Sequence, residues 1–104
     1  VNLKAVDAAG HLMGVVSLSK PFLPQASAWV ITLGVARDFR RQGLGNRLLH
    51  EAEKRTTAPR IRLTVRASNG PAIDLYLKAG YALLRQATRY YPDGEDGLIM
   101  EKRR

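Results

Sequence analysis

A chain of 104 residues, 45% hydrophobic and 25% charged, allows one modest core, since folding at this size buries somewhat over ~60% of the unfolded surface. No apolar run approaches the ~20 residues of a membrane span, no signal-peptide pattern stands at the start, and the lack of cysteine excludes disulfides and thiolate chemistry by the protein itself, so a cytoplasmic protein is expected. The net charge of +8 raises nucleic acid as a partner, but its placement argues otherwise: residues 1–36 carry +1, residues 37–66 carry nine basic against three acidic groups, and residues 67–104 carry +1.

In chain order, Val1 to Val6 and Leu12 to Leu18 alternate apolar and polar residues around the turn chemistry of Asp7-Ala8-Ala9-Gly10, which predicts a β-hairpin. Pro21 and Pro24 mark a loop. Ala28 to Val35 is apolar on both faces, the pattern of a central strand covered on both sides. Gly34 within it predicts a bulge or a close backbone approach. After Gly43 the period becomes helical, with Leu44, Leu48, Leu49 and Ala52 on one stripe and Pro59 closing the helix.

Ile61, Leu63 and Val65 alternate with Arg62, Thr64 and Arg66 as a strand with one apolar face. Asn69-Gly70-Pro71 opens a second helix, with Asn69 as N-cap, Ala72, Ile73, Tyr76 and Leu77 on its stripe and Gly80 at its end. A short strand from Tyr81, a polar loop from Tyr91 to Gly97, a strand from Leu98 to Glu101 and a basic tail complete the chain. The predicted fold is therefore α/β, one domain over residues 1–104, in the order β-β-β-α-β-α-β-β. Its strand-helix-strand connections call for a mixed sheet with parallel pairing near its centre.

The stretch Arg40-Arg41-Gln42-Gly43-Leu44-Gly45 lies between the buried strand and the first helix and holds the centre of the basic region. Glycines there let backbone N–H groups approach a ligand, and the helix start adds orphan donors and the positive end of the macrodipole, a place for phosphate. Two nucleotide motifs fail on spacing. Asn46-Arg47 stands where a P-loop needs Lys-Ser/Thr, and Leu48 stands where the dinucleotide fingerprint needs its third small residue.

The same stretch resembles the acetyl-CoA signature of the GNAT acetyltransferases, Arg/Gln-x-x-Gly-x-Gly/Ala. Asn69, the run Ala72 to Tyr76 and Ala79-Gly80-Tyr81 are similar to that family's second block, and Arg89-Tyr90-Tyr91-Pro92 with Glu95-Asp96 and Leu98-Ile99-Met100 resembles the C-terminus of bacterial ribosomal-protein-alanine N-acetyltransferases. The resemblance implies a GNAT fold and transfer of acetyl from acetyl-CoA to a primary amine, that of a peptide or protein N-terminus, by direct attack on the thioester. It implies that the turn of Arg40, Arg41, Gln42, Gly43, Leu44 and Gly45 holds the pyrophosphate. It further implies that Leu33, Gly34 and Val35 pair with the pantetheine arm and polarise the thioester carbonyl through a bulge, that Asn69 binds the arm, and that Tyr76 protonates the departing thiolate.

Each role has a plainer counterpart. Tyr76 could only fill the core, Asn69 could only cap its helix, and Glu95-Asp96 reads as a solvated loop, although it could attract a cationic acceptor. His11 and His50 have no spaced partners for a metal, so none is expected.

Two departures from the family stand out. Thr64 occupies the position of a glutamate that relays a proton in the ribosomal-protein enzymes. The chain starts at the hairpin with Val1, without the family's preceding strand and two helices, so a shortened domain is expected, either trimmed or covered by a second subunit in a homodimer. Two rival readings remain: a GNAT remnant that binds CoA without efficient catalysis, and a basic nucleic-acid-binding module, which a charge cluster centred on a phosphate loop without interleaved aromatics disfavours.

Overall fold

The computed structural model describes residues 1–21, 23 and 26–104. The alternating segments build β1 (Asn2–Val6) and β2 (Leu12–Leu18). In the turn between them, Asp7 Oδ1 accepts the N–H groups of Ala9 at 3.0 Å and His11 at 2.8 Å. Next come β3 (Ala28–Val35), a 3₁₀ turn (Arg37–Phe39), α1 (Leu44–Lys54), β4 (Arg60–Arg66), α2 (Gly70–Lys78), β5 (Ala82–Ala87) and β6 (Gly97–Arg103). The element order is the expected one. Pro24, assigned to the breaker loop, lies outside the described residues.

The six strands form one mixed sheet in the order β1-β2-β3-β4-β6-β5, antiparallel throughout except between β3 and β4. Both helices lie on one face. Leu48, Leu49 and Ala52 of α1 form a single cluster with Val16, Leu18, Ile61, Leu63 and Met100 of the sheet, and Ala72, Ile73, Leu75, Tyr76 and Ala79 of α2 pack on its border. A fully buried Leu or Ile here contributes roughly 1.5–3 kcal/mol. Leu77, expected on the apolar stripe of α2, instead points outward at 53% exposure, and Leu75 takes its place over Gly45 of α1.

β3 is covered on one side only. Trp29 and Ile31 are 36% and 66% exposed, which corrects the expectation drawn from its two apolar faces. The end of α1 also differs: it stops at Lys54, five residues before Pro59. Arg104, at the far end of the chain, donates to the carbonyls of Glu53, Thr56 and Ala58, so groups left over beyond the last helical turn are satisfied from β6. The expected basic tail is therefore partly strand, with Arg103 paired opposite Arg60. No helix among the described residues is long and apolar enough to cross a membrane.

Gly14 shows how closely α1 sits on the sheet. A Cβ there would come within 2.8 Å of the Gly34 carbonyl oxygen and 2.9 Å of Leu48 Cδ1. Backbone cannot yield as a side-chain tip can, so Gly14→Ala is expected to destabilise the fold by about 1–3 kcal/mol, measured as a lower denaturant midpoint at unchanged slope.

Candidate active site

β3 and β4 pair at Ala28 with Ile61 and at Trp29 with Arg62, and no further. Immediately beyond, β3 carries a bulge: Leu18 of β2 faces Val30 and Ser17 faces Thr32, leaving Ile31 as the extra residue. A bulge bends its strand and increases its twist. The two parallel strands separate there and leave a cleft of about 270 Å³. Val30, Ile31 and Leu33 form one wall, Leu63 to Arg66 the other, and Asn69, Ala72, Tyr76 and Tyr91 complete it. The bulge expected at Gly34 thus falls three residues earlier. Gly34 and Val35 stay in register with Val15 and Gly14 and do not line the cleft.

The cleft opens toward the carboxyl ends of the two parallel strands, where α1 and α2 begin, the end at which open α/β sheets receive ligands. A larger hollow of about 590 Å³ lies at the other end of β3 and α1, lined by Val1, Lys20, Pro21, Leu23 and Arg55 among others. The smaller cleft, with Tyr76 in its lining and two helix starts at its mouth, is the candidate site.

The two helix starts differ. α2 is capped: Asn69 Oδ1 accepts the N–H of Ala72 at 3.3 Å, and Pro71 stands in the first turn. α1 has Gly43 as N-cap with φ 75°, no capping side chain and no acidic residue in its first turn, and its first backbone bond runs from Arg47 N–H to Gly43 O at 3.1 Å. Its leading N–H groups are therefore orphans that favour an anion. Arg41 also has positive φ, 64°, and turns of this kind gather successive N–H groups into an anion-receiving concavity.

Arg40 Nε braces the end of β3 by donating to Val35 O at 3.0 Å. Among the described residues, Arg37, Arg41 and Arg47 have no carboxylate within ion-pair distance, whereas Lys54, Arg62 and Arg66 of the same basic region are neutralised by Glu51, Glu101 and the pair Asp93 and Glu95. The unbalanced charge thus collects at the turn. The two glycines have different reasons to be there. Gly43 supplies the left-handed backbone, while Gly45 is buried and a Cβ on it would meet Leu75 at 3.2 Å and Val35 at 3.6 Å, so its smallness serves packing. Gln42 is exposed in the turn and Leu44 is half-buried against the core.

The expected residues Leu33, Asn69 and Tyr76 come together in the cleft with Thr64, while the Arg40 to Gly45 turn forms a separate group beside it. Tyr76 packs edge-on against Tyr81 with ring centroids 6.0 Å apart, so packing is part of its role. Burial, followed by the proximity of Tyr91, pushes the Tyr76 hydroxyl above its ordinary value. At neutral pH it is a protonated donor facing the cleft.

Sequence reasoning missed Tyr91 and Arg66. Tyr91 reaches the cleft from the loop between β5 and β6, and the Arg66 guanidinium lies 4.1 Å from its ring centroid. The signal was the Tyr90-Tyr91-Pro92 run. Glu95 and Asp96, expected to be solvated, anchor this loop. Glu95 takes the Ser68 N–H at 2.9 Å and Arg66 Nη1 at 2.9 Å, and Asp96 takes the Arg89 N–H at 2.9 Å and Gln86 Nε2 at 2.6 Å. The hydrogen bonds of Ser68 and then Arg66 hold Glu95 below the ordinary carboxylate range, and the Glu95 N–H and then Arg66 do the same for Asp93. Folded values below unfolded ones mean that these anchors contribute in full above the ordinary carboxylate range and are lost only as pH falls through their lowered folded values.

A family model described as Acetyltransferase (GNAT) family matches residues 3–81. The chain belongs to the GNAT family. Among curated GNAT relatives, the N-terminal acetyltransferase B complex catalytic subunit NAA20 of Arabidopsis thaliana is 39% identical over 100 residues, covering 89% of this chain and 54% of its own length. The chain spans about half the length of that relative. Among solved structures, the ribosomal-protein-S18-alanine N-acetyltransferase of Escherichia coli superposes with a TM-score of 0.84 at 34% identity, over 99% of this chain and 68% of that one. Chaetomium thermophilum Naa20, solved with a bisubstrate analogue, gives 0.85 at 28% identity, over 96% and 64%. The mixed six-stranded sheet with its two helices is the GNAT fold.

Proposed function

We propose that this chain acts as an N-acetyltransferase, moving acetyl from acetyl-CoA to a primary amine at a protein or peptide N-terminus. The observation that carries the reading is the gap between β3 and β4, which has the uncapped, arginine-flanked start of α1 at its mouth and the Tyr76 hydroxyl in its wall. The residues fit the co-substrate: an anion-receiving turn, an unpaired strand edge and a half-buried donor lie in succession. Acetyl-CoA, when bound, supplies the activated thioester. The N–H groups of the Arg41 to Gly45 turn receive its pyrophosphate, and the open edge of β3 around Leu33 offers peptide groups to its amide arm.

Exchange then needs one proton moved. As the acceptor nitrogen bonds to the acyl carbon and the carbon–sulfur bond breaks, Tyr76 gives its proton to the sulfur and is reprotonated at the expense of the amine or solvent. Thr64 lines the same wall but cannot take a proton at neutral pH, so the amine enters neutral or passes its proton to water. The choice of a protein N-terminus rests on the names of the relatives, one an N-terminal acetyltransferase subunit and one acting on an alanine of ribosomal protein S18.

Calorimetric titration with acetyl-CoA is expected to give a submillimolar Kd. Gly43→Val, which forces a branched side chain to φ 75°, is expected to weaken that binding by about 10-fold, in line with the ~1–2 kcal/mol cost of left-handed backbone. Mass spectrometry of a peptide and small-amine panel should show a mass gain at the α-amine. Steeply salt-dependent RNA binding without any acetyl-CoA binding would sink the reading.

A further inference from the structure

Arg66 ends β4 and makes three contacts with the β5–β6 loop. Its Nη1 lies 2.7 Å from Asp93 Oδ2 and 2.9 Å from Glu95 Oε1, and its guanidinium stacks on the Tyr91 ring. The two carboxylates are themselves held. Glu95 Oε2 accepts from Ser68 N–H just ahead of α2, and Asp93 Oδ1 accepts from Glu95 N–H at 3.0 Å. The loop also closes on itself, with Tyr91 N–H donating to Glu95 O at 3.1 Å and Gly94 N–H to Tyr91 O at 2.9 Å. One cation therefore ties the end of β4, the start of α2 and the tip of the β5–β6 loop into a unit whose inward-facing part is the Tyr91 ring in the cleft.

Stability alone does not account for this arrangement. Arg66 is 41% exposed and Asp93 60% exposed, and ion pairs in such positions contribute little to folding, with a median of about 0–1 kcal/mol. What the cluster supplies is geometry: a planar fork that fixes two carboxylates and an aromatic face together. The two ends of the cleft also differ in charge. The turn before α1 carries arginines without carboxylate partners, suited to a polyanion, while the loop side carries Asp93, Glu95 and Asp96 against Arg66 and Arg89, a net negative charge suited to a group that arrives as an ammonium.

We propose that Arg66 is a positioning residue for the acyl acceptor, holding Tyr91 and the β5–β6 loop as the acceptor-side wall of the cleft. The proposal rests on the acetyltransferase reading. It requires Arg66 to act through Tyr91 and to leave the acetyl-CoA contacts alone.

The test uses the full chain, with acetyl-CoA and an acceptor peptide that the unaltered protein acetylates. Arg66→Gln is expected to raise the acceptor KM by about 10-fold or more, the scale expected when a positioned group is displaced, while the acetyl-CoA Kd and the melting temperature stay essentially where they were. Arg66→Lys keeps the charge but loses fork and stacking, and should fall between. Tyr91→Leu should raise KM similarly, and the double variant should be no worse than Tyr91→Leu alone, because Arg66 acts through that ring.

An unchanged acceptor KM in Arg66→Gln, additive effects in the double variant, or a parallel loss of acetyl-CoA affinity and melting temperature overturns the proposal while leaving the acetyltransferase reading intact. No turnover by the unaltered protein on any acceptor overturns both.

Discussion

Replacing Tyr76 with phenylalanine is expected to lower turnover by about 10²–10⁴-fold, the usual contribution of a positioned general acid, with little change in acetyl-CoA affinity. The ring is retained, so its edge-on contact with Tyr81 and its place in the wall of the cleft persist. Only the proton is lost. The unaltered protein should also keep its activity far into alkaline solution. The hydroxyl is held above its ordinary value by burial and by Tyr91, so the acid form survives past pH 10 and the descending limb of the rate profile lies beyond that point. Single-turnover kinetics alongside cofactor titration separates the two readings of this residue: equal losses in rate and affinity would make Tyr76 a packing residue.

Removing Glu53 is expected to be the most damaging change to the fold. This α1 carboxylate is 5% exposed and accepts from the Tyr81 hydroxyl at 2.7 Å and from Lys102 Nζ at 2.9 Å. The two partners come from the end of α2 and from β6, so one group joins three elements. Burial and then the hydrogen bond to Glu53 push the Tyr81 hydroxyl far above its ordinary value, leaving it a fixed donor. Glu53→Ala strands that donor and a quarter-exposed ammonium and is expected to cost about 3–5 kcal/mol. The converse change tests the cause. Glu53→Leu with Lys102→Met and Tyr81→Phe removes the buried carboxylate and its two hydrogen-bond donors at similar volume, and should recover most of the loss in denaturant unfolding. A triple variant as unstable as Glu53→Ala would mean that shape, not stranded polarity, was at issue.

Local chemistry made most of this fold readable. Alternation located β1, β2 and β4, a glycine required by positive φ marked the start of α1, and Asn69 announced itself as a cap two residues before Pro71. The features that could not be read are those set by partners distant in sequence. The bulge at Ile31 is a property of the register between β2 and β3, not of the residue that bulges, and the close backbone approach is felt at Gly14, where a Cβ would meet the Gly34 carbonyl, while a Cβ on Gly34 would meet only Val15 Cγ2 at 4.0 Å. The end of α1 is decided by Arg104, some fifty residues later. Leu33, Asn69 and Tyr76 came from the family resemblance, and the structure gathers them in one cleft. Arg66 and Tyr91 did not, because their roles come from contacts between β4 and a loop 25 to 29 residues away. Alternation could show only that Arg66 would face away from the core.

The short seam between β3 and β4 also works as a ruler. Pairing stops at Trp29 and Arg62, so the cleft has a floor there, and from that floor to Leu33, the last β3 residue that lines it, runs a stretch of roughly 13 Å at about 3.3 Å per residue. A thioester gripped by its pyrophosphate at the Arg41 to Gly45 turn can deliver its reacting carbon to Tyr76 only if the arm between them matches that length. On the proposed acetyltransferase reading, a truncated thioester loses the grip of the turn, and a longer acyl group meets the paired strands at Trp29 and Arg62. On that same reading, the point at which the two strands cease to pair limits the length of acyl group that the cleft accepts.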